Sequence, residues 1–148
     1  MQKLILITLL IALLTACTPL TAVPVSTPTL SVIQPVSDYA PLPADSGLTR
    51  GQAFLDSSDL LTMESYPLQF SLALKGNLPT PCHKLRVAIN PPDANNKVIV
   101  DVYSVADPTA VCIQMLEPFE VNVPLGSYPS GHYTLWANGE QVAEFDSK

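Results

Sequence analysis

Basic residues are scarce in this chain of 148 residues: seven Lys or Arg stand against thirteen Asp or Glu, for a net charge of −6. The first sixteen residues hold one lysine, Lys3, and no acid, so residues 17–148 carry −7 with six scattered cations. Such a surface has no stripe able to neutralise phosphates, which excludes nucleic acid as a partner. It is also repelled by anionic lipid headgroups, so attachment to a membrane needs something other than charge.

Histidine is scarcer still, with two residues, His83 and His132, beside three cysteines. A metal centre needs three or four ligands at suitable spacing. The adjacent Cys82-His83 pair is a poor chelate, because neighbours on a strand point to opposite faces. Asp93-Ala94-Asn95-Asn96 lacks the glycine and the glutamate of a calcium loop. Gly126-Ser127-Tyr128-Pro129-Ser130-Gly131 is not a nucleophile elbow. Ser130 and His132 share a strand face, with no acid in view to orient the imidazole. No cofactor motif is present, and the expectation is a non-catalytic protein.

No apolar run is long enough to span a bilayer. The longest, Leu4 to Leu14, has eleven residues after the charge of Lys3, which fits the core of a signal peptide rather than a permanent helix. It ends in Leu14-Thr15-Ala16-Cys17. Position, leader length and tetrapeptide together resemble the lipobox of bacterial lipoprotein precursors. The resemblance implies cleavage after Ala16 and a diacylglyceryl thioether on Cys17, with two or more acyl chains forming a stable anchor. It places the protein on the cell membrane or the outer membrane, with the domain extracytoplasmic. The alternative is an ordinary secretory signal with a chance cysteine.

If Cys17 carries lipid, Cys82 and Cys112 remain. An even remainder in an exported chain reads as one disulfide. It would close a loop of 31 residues, worth roughly 3 to 4 kcal/mol in the chain-entropy model. Two buried free thiols are the other reading.

From Thr18 to Gly47 six prolines interleave with Thr, Ser, Val and Ala. Proline fixes φ and removes a donor, so this stretch reads as an extended tether. The expected organisation is therefore signal peptide 1–16, lipidated cysteine and tether 17–47, and a folded domain over 48–148.

Within that domain the apolar residues alternate. Leu68, Phe70, Leu72 and Leu74 form one set; Leu85, Val87 and Ile89, then Val98, Val100 and Val102, then Phe119, Val121 and Val123, then Tyr133, Leu135 and Ala137 form others. A period of two means strands with one buried face. Residues 51–64 read as two short strands in preference to a capped helix, and Asn138-Gly139 predicts a two-residue hairpin followed by a strand at Gln141–Phe145. About seven short strands separated by Pro- and Asn-rich turns predict an all-β fold, an antiparallel immunoglobulin-like sandwich. The paired cysteines with Pro118-Phe119-Glu120, Pro124-Leu125-Gly126 and Gly131-His132-Tyr133 resemble poorly characterised bacterial lipoprotein sandwich domains. That resemblance implies fold and compartment and carries no activity.

The alternation sends Trp136 outward beside His132 and Thr134, a candidate binding surface for an envelope protein or glycan. The other reading is a reversed register or a covered ring. The sequence thus predicts a membrane-anchored, non-catalytic binding or assembly module. A small enzyme or metal carrier using His83 and His132, and a structural spacer, are the alternatives.

Overall fold

The structure is a computed structural model that describes residues 37–148. The predicted leader, Cys17 and the tether as far as residue 36 lie outside the described residues. A short 3-10 turn, Pro43–Gly47, precedes eight strands: β1 (Thr49–Gln52), β2 (Phe54–Met63), β3 (Gln69–Leu78), β4 (Lys84–Ile89), β5 (Lys97–Ala106), β6 (Glu117–Gly126), β7 (Gly131–Ala137) and β8 (Glu140–Ser147). No α-helix occurs among the described residues.

The alternating sets become the facing layers of a sandwich. Phe70, Leu72 and Leu74 of β3, Val98, Val100 and Val102 of β5, Val123 of β6 and Leu135 of β7 are all buried in one core. Each such side chain contributes roughly 1.5–3 kcal/mol by leaving water. One sheet has the order β2-β3-β6 and the other is built around β5. The stretch 51–64 is strand, as its composition predicts. It is split by buried Ala53, where the chain leaves β1 in one sheet and enters β2 in the other. β2 pairs Leu55 with Gly76 of β3 just before a bulge, after which Ser57 meets Lys75. A Cβ on Gly76 would strike the carbonyl of Phe54, so only glycine allows this close approach.

The sandwich class is the expected one, and the eight strands among the described residues agree with the expected number of about seven. One detail differs: one of the six ladders is parallel, with Lys97–Val100 of β5 alongside Thr134–Ala137 of β7. The cause lies in β6. It pairs with β3 in the opposite sheet, so the path from β5 to β7 is a crossover, and a crossover returns the chain in the same direction.

β5 has β4 along one edge and shares its other edge between β7 at Lys97–Val100 and β1 at Tyr103–Ala106. Val102 falls in the gap. Its N–H donates to Oδ1 of Asn138 at 2.8 Å and its carbonyl accepts from Nδ2 at 2.9 Å, while the Asn138 N–H bonds Val100 O at 3.0 Å. The side-chain amide thus replaces a missing strand residue. Asn138 reaches this position because it and Gly139 adopt positive φ, 48° and 90°, the conformation expected of an Asn-Gly hairpin.

At one end of the core Phe70, Tyr128, Tyr133 and Phe145 cluster, with ring centroids 4.5–6.0 Å apart in the pairs that meet. Tyr133, at the start of β7, donates its hydroxyl to Pro129 O at 3.0 Å. The bond ties the start of β7 to the chain four residues upstream, in the manner of the tyrosine corner of immunoglobulin-type sandwiches. The neighbouring Tyr128 hydroxyl has no partner among the described residues, and burial, with Tyr133 close by, pushes its pKa up to about 12.

Residues 37–47, read from the sequence as the end of the tether, pack on the sandwich. Tyr39 lies against the core, and its carbonyl accepts the N–H of Val87 at 2.7 Å on the open edge of β4. Asp45 grips Arg86 with both oxygens, at 2.7 and 2.9 Å. Arg86 is only 7% exposed, although it alternates with Leu85 and Val87, a position that period two gives to the polar face. The bidentate bond to Arg86, aided by the N–H of Leu42, lowers the Asp45 pKa to about 2.

Two measurements follow from these contacts. Asn138→Gly preserves the turn but strips Val102 of both partners, and is expected to cost about 2 to 3 kcal/mol in denaturant unfolding, since each buried backbone group left unpaired costs roughly 1–3 kcal/mol. Asp45 has a folded pKa below its ordinary value, so its contribution is complete above about pH 4 and fades as pH falls through about 2. The gap in thermal midpoint between the wild type and Asp45→Asn is therefore wide at pH 7 and closes towards pH 2.

Candidate functional site

β7 turns His132, Thr134 and Trp136 to the outside while Tyr133, Leu135 and Ala137 enter the core. Register brings the outward set beside Lys97 and Ile99 of β5 and beside Asp146 and Glu144 of β8. The Trp136 ring is half-buried. The Lys97 ammonium stands 3.8 Å from its centroid, and the indole N–H donates to Thr134 Oγ1 at 3.2 Å. A cation over the ring and a satisfied donor leave Trp136 held by its own neighbours. The three expected residues are together, on a sheet face rather than in a hollow.

His132 has acids that the sequence did not reveal. Its Nδ1 lies 3.0 Å from Asp146 Oδ1 and its Nε2 lies 3.8 Å from Glu144 Oε2. All three side chains are more than half exposed. Both ring nitrogens face carboxylates, and among the described residues no hydroxyl hydrogen-bonds the imidazole. That is a solvent-exposed cluster of one imidazole and two carboxylates, worth little on its own.

The reason these acids escaped notice is a bulge. A plain two-residue hairpin at Asn138-Gly139 pairs Trp136 with Gln141, as observed, and would continue to place Phe145 opposite His132. Between Leu135 and Trp136 the register slips by one, so that Leu135 meets Ala143 and His132 meets Asp146. The slip sends Phe145 into the core against Tyr133 and Phe70. A one-residue shift exchanges the two faces of a strand, and here it separates an apolar residue from an acid.

Cys82 and Cys112 are joined by a disulfide, with Cα atoms 6.1 Å apart. Cys82 is therefore not a metal ligand. His83 Nδ1 pairs with Thr80 Oγ1 at 2.8 Å, close to Gly51 and Ser104, whereas His132 belongs to the far end of β5. Seven residues of strand separate those ends, roughly 23 Å. Among the described residues no group of three or more His, Cys, Asp or Glu is arranged to hold a metal ion. The Asp93 carboxylate is occupied by the N–H groups of Asn95 and Lys97, at 2.8 and 2.9 Å, which hold its pKa below the usual carboxylate value.

Concavity lies elsewhere. A cleft of about 330 Å³ opens where the β1–β2 switch faces the β7–β8 turn, lined by Gln52, Phe54, Asp56, Ser58, Asn138 and Glu140 among others. A second feature is the connection between β5 and β6. Its side chains Val111, Ile113, Met115 and Leu116 are 101, 65, 56 and 55% exposed. Val111, Ile113 and Met115 are spaced by two, as in a strand, so alternation does not distinguish this loop from the buried runs.

A family model described as the ORF11 beta-sandwich domain matches residues 72–147, from the middle of β3 to the end of β8. The chain belongs to the ORF11 beta-sandwich family. No curated protein and no solved structure matches the chain. The matched region of this ORF11 beta-sandwich domain contains the disulfide, the Asn138 bracket and the Trp136 face.

Trp136 is the single tryptophan, so its fluorescence reports on this face alone. Lys97→Ala uncovers the ring and is expected to increase its quenching by acrylamide while leaving the unfolding free energy within about 1 kcal/mol of wild type, the usual limit for an exposed cation–π contact.

Proposed function

We propose that this protein is an extracytoplasmic lipoprotein, anchored through acyl chains on Cys17, whose β sandwich serves as a non-catalytic binding or assembly module of the cell envelope. The observation that carries the reading is the Cys82–Cys112 disulfide. Such a bond belongs to an oxidising compartment, and it leaves Cys17 as the one remaining thiol, directly behind Leu14-Thr15-Ala16. Residues 18–36 then connect lipid to sandwich, and the clasp of Asp45 on Arg86 fixes where the connection ends.

The face of His132, Thr134 and Trp136 offers a partner a ring edge, an imidazole flanked by two carboxylates, and Ile99, which is 37% exposed. Such a flat, mixed surface suits a protein or glycan contact better than an enclosed small molecule. Its role is recognition by surface chemistry, with the sandwich as a rigid support.

Growth of a bacterium expressing the full chain with an alkyne-bearing fatty acid tests the anchor. The expected result is label on the wild-type protein, membrane fractionation, and loss of both in Cys17→Ser with the disulfide retained. Unlabelled wild type released as a soluble exported protein would overturn it.

A further inference from the structure

We propose that the disulfide-stapled loop between β5 and β6, residues 107–116, docks into a bilayer surface of zwitterionic phospholipid, giving the domain a membrane contact separate from its anchor. The proposal rests on the lipid-anchor reading for its setting. Its own basis is the chemistry of the loop.

Four large aliphatic side chains, Val111, Ile113, Met115 and Leu116, stand more than half exposed within six residues. From Pro108 to Leu116 the chain has no charge. A contiguous exposed patch of this kind marks an interaction surface rather than ordinary scatter of apolar residues. The loop is also held in shape. Cys112, at its centre, is bonded to Cys82, and the Asp107 carboxylate takes the N–H and hydroxyl of Thr109 at 2.8 and 2.7 Å. Ordering that is complete before contact does not weaken binding.

The choice of occupant follows from residue types, charge and reach. Protein hot spots are rich in Trp, Tyr and Arg and poor in Leu and Val, and this loop has none of the first group. A second copy would bring Asp107 and Glu117 against their own kind, on chains that each carry −7 over residues 17–148. Anionic lipid is disfavoured for the same reason, because the tip has no Lys or Arg. An uncharged bilayer surface accepts aliphatic side chains at its headgroup boundary without a charge partner. Nineteen residues, 18–36, separate Cys17 from the described body, a reach of at most about 70 Å, while the longest strands are only about 33 Å. Every point on the sandwich therefore lies within reach of the leaflet that holds the anchor, and tethering raises the effective concentration of the loop at that surface.

The test uses the chain beginning at Cys17, with its disulfide formed, coupled through the Cys17 thiol to maleimide lipid in phosphatidylcholine vesicles. This coupling replaces the biological anchor, so the loop is tested even if Cys17 is not lipidated in the cell. Val111 is fully exposed, and Val111→Trp combined with Trp136→Phe places a single indole probe there without disturbing the core. The expected result is emission shifted to shorter wavelength and quenched at least twofold by brominated acyl chains, with Trp136 in the wild type unaffected. Adding Ile113→Asp abolishes both effects. An unquenched probe, quenching that survives Ile113→Asp, or quenching of Trp136 instead would overturn the proposal. So would the same shift without vesicles on raising protein concentration, which would assign the loop to self-association.

Discussion

The backbone of β5 sets the architecture, because a strand at the centre of a sheet must find partners for its peptide groups along both edges. β4 supplies one edge. On the other, neither β7 nor β1 is long enough, and the Asn138 amide closes the interval at Val102. Three separate parts of the chain thus meet on one line. The hairpin turn that positions Asn138 is in this sense part of the sheet, although by sequence it is only a connection.

Much of this fold is written in alternation. Phe70-Leu72-Leu74 and Val98-Val100-Val102 have a period that one buried face requires, and Asn138-Gly139 specifies its turn through positive φ. Direction and neighbour are not written there. The same β5 pattern would serve an antiparallel neighbour equally well, and only the passage of β6 through the other sheet makes the β7 ladder parallel. The Asp45–Arg86 bond joins positions 41 residues apart, a distance over which no local pattern operates. Arg86 consequently looked like a surface charge, and residues 37–47 like unattached tether.

The β7 face was legible in part for the same reason. Period two places His132, Thr134 and Trp136 on one side, but what surrounds them comes from neighbouring strands. Lys97 reaches the indole because β5 runs parallel to β7, and Asp146 reaches the imidazole because the hairpin slips by one residue. Both facts depend on core packing, chiefly on where Phe145 can be buried. The surface chemistry is thus a product of the interior.

The strap formed by residues 37–47 also has a mechanical meaning. A load entering at residue 37 meets the sandwich first at the Tyr39–Val87 hydrogen bond and next at the Asp45–Arg86 clasp. These contacts lie in series and yield one after another, as in peeling. Beyond them β1 is held along β5 by a ladder of four residue pairs, so tension would be shared across it in shear. Under such a load the strap would serve as a strain relief, as where a cable enters its housing.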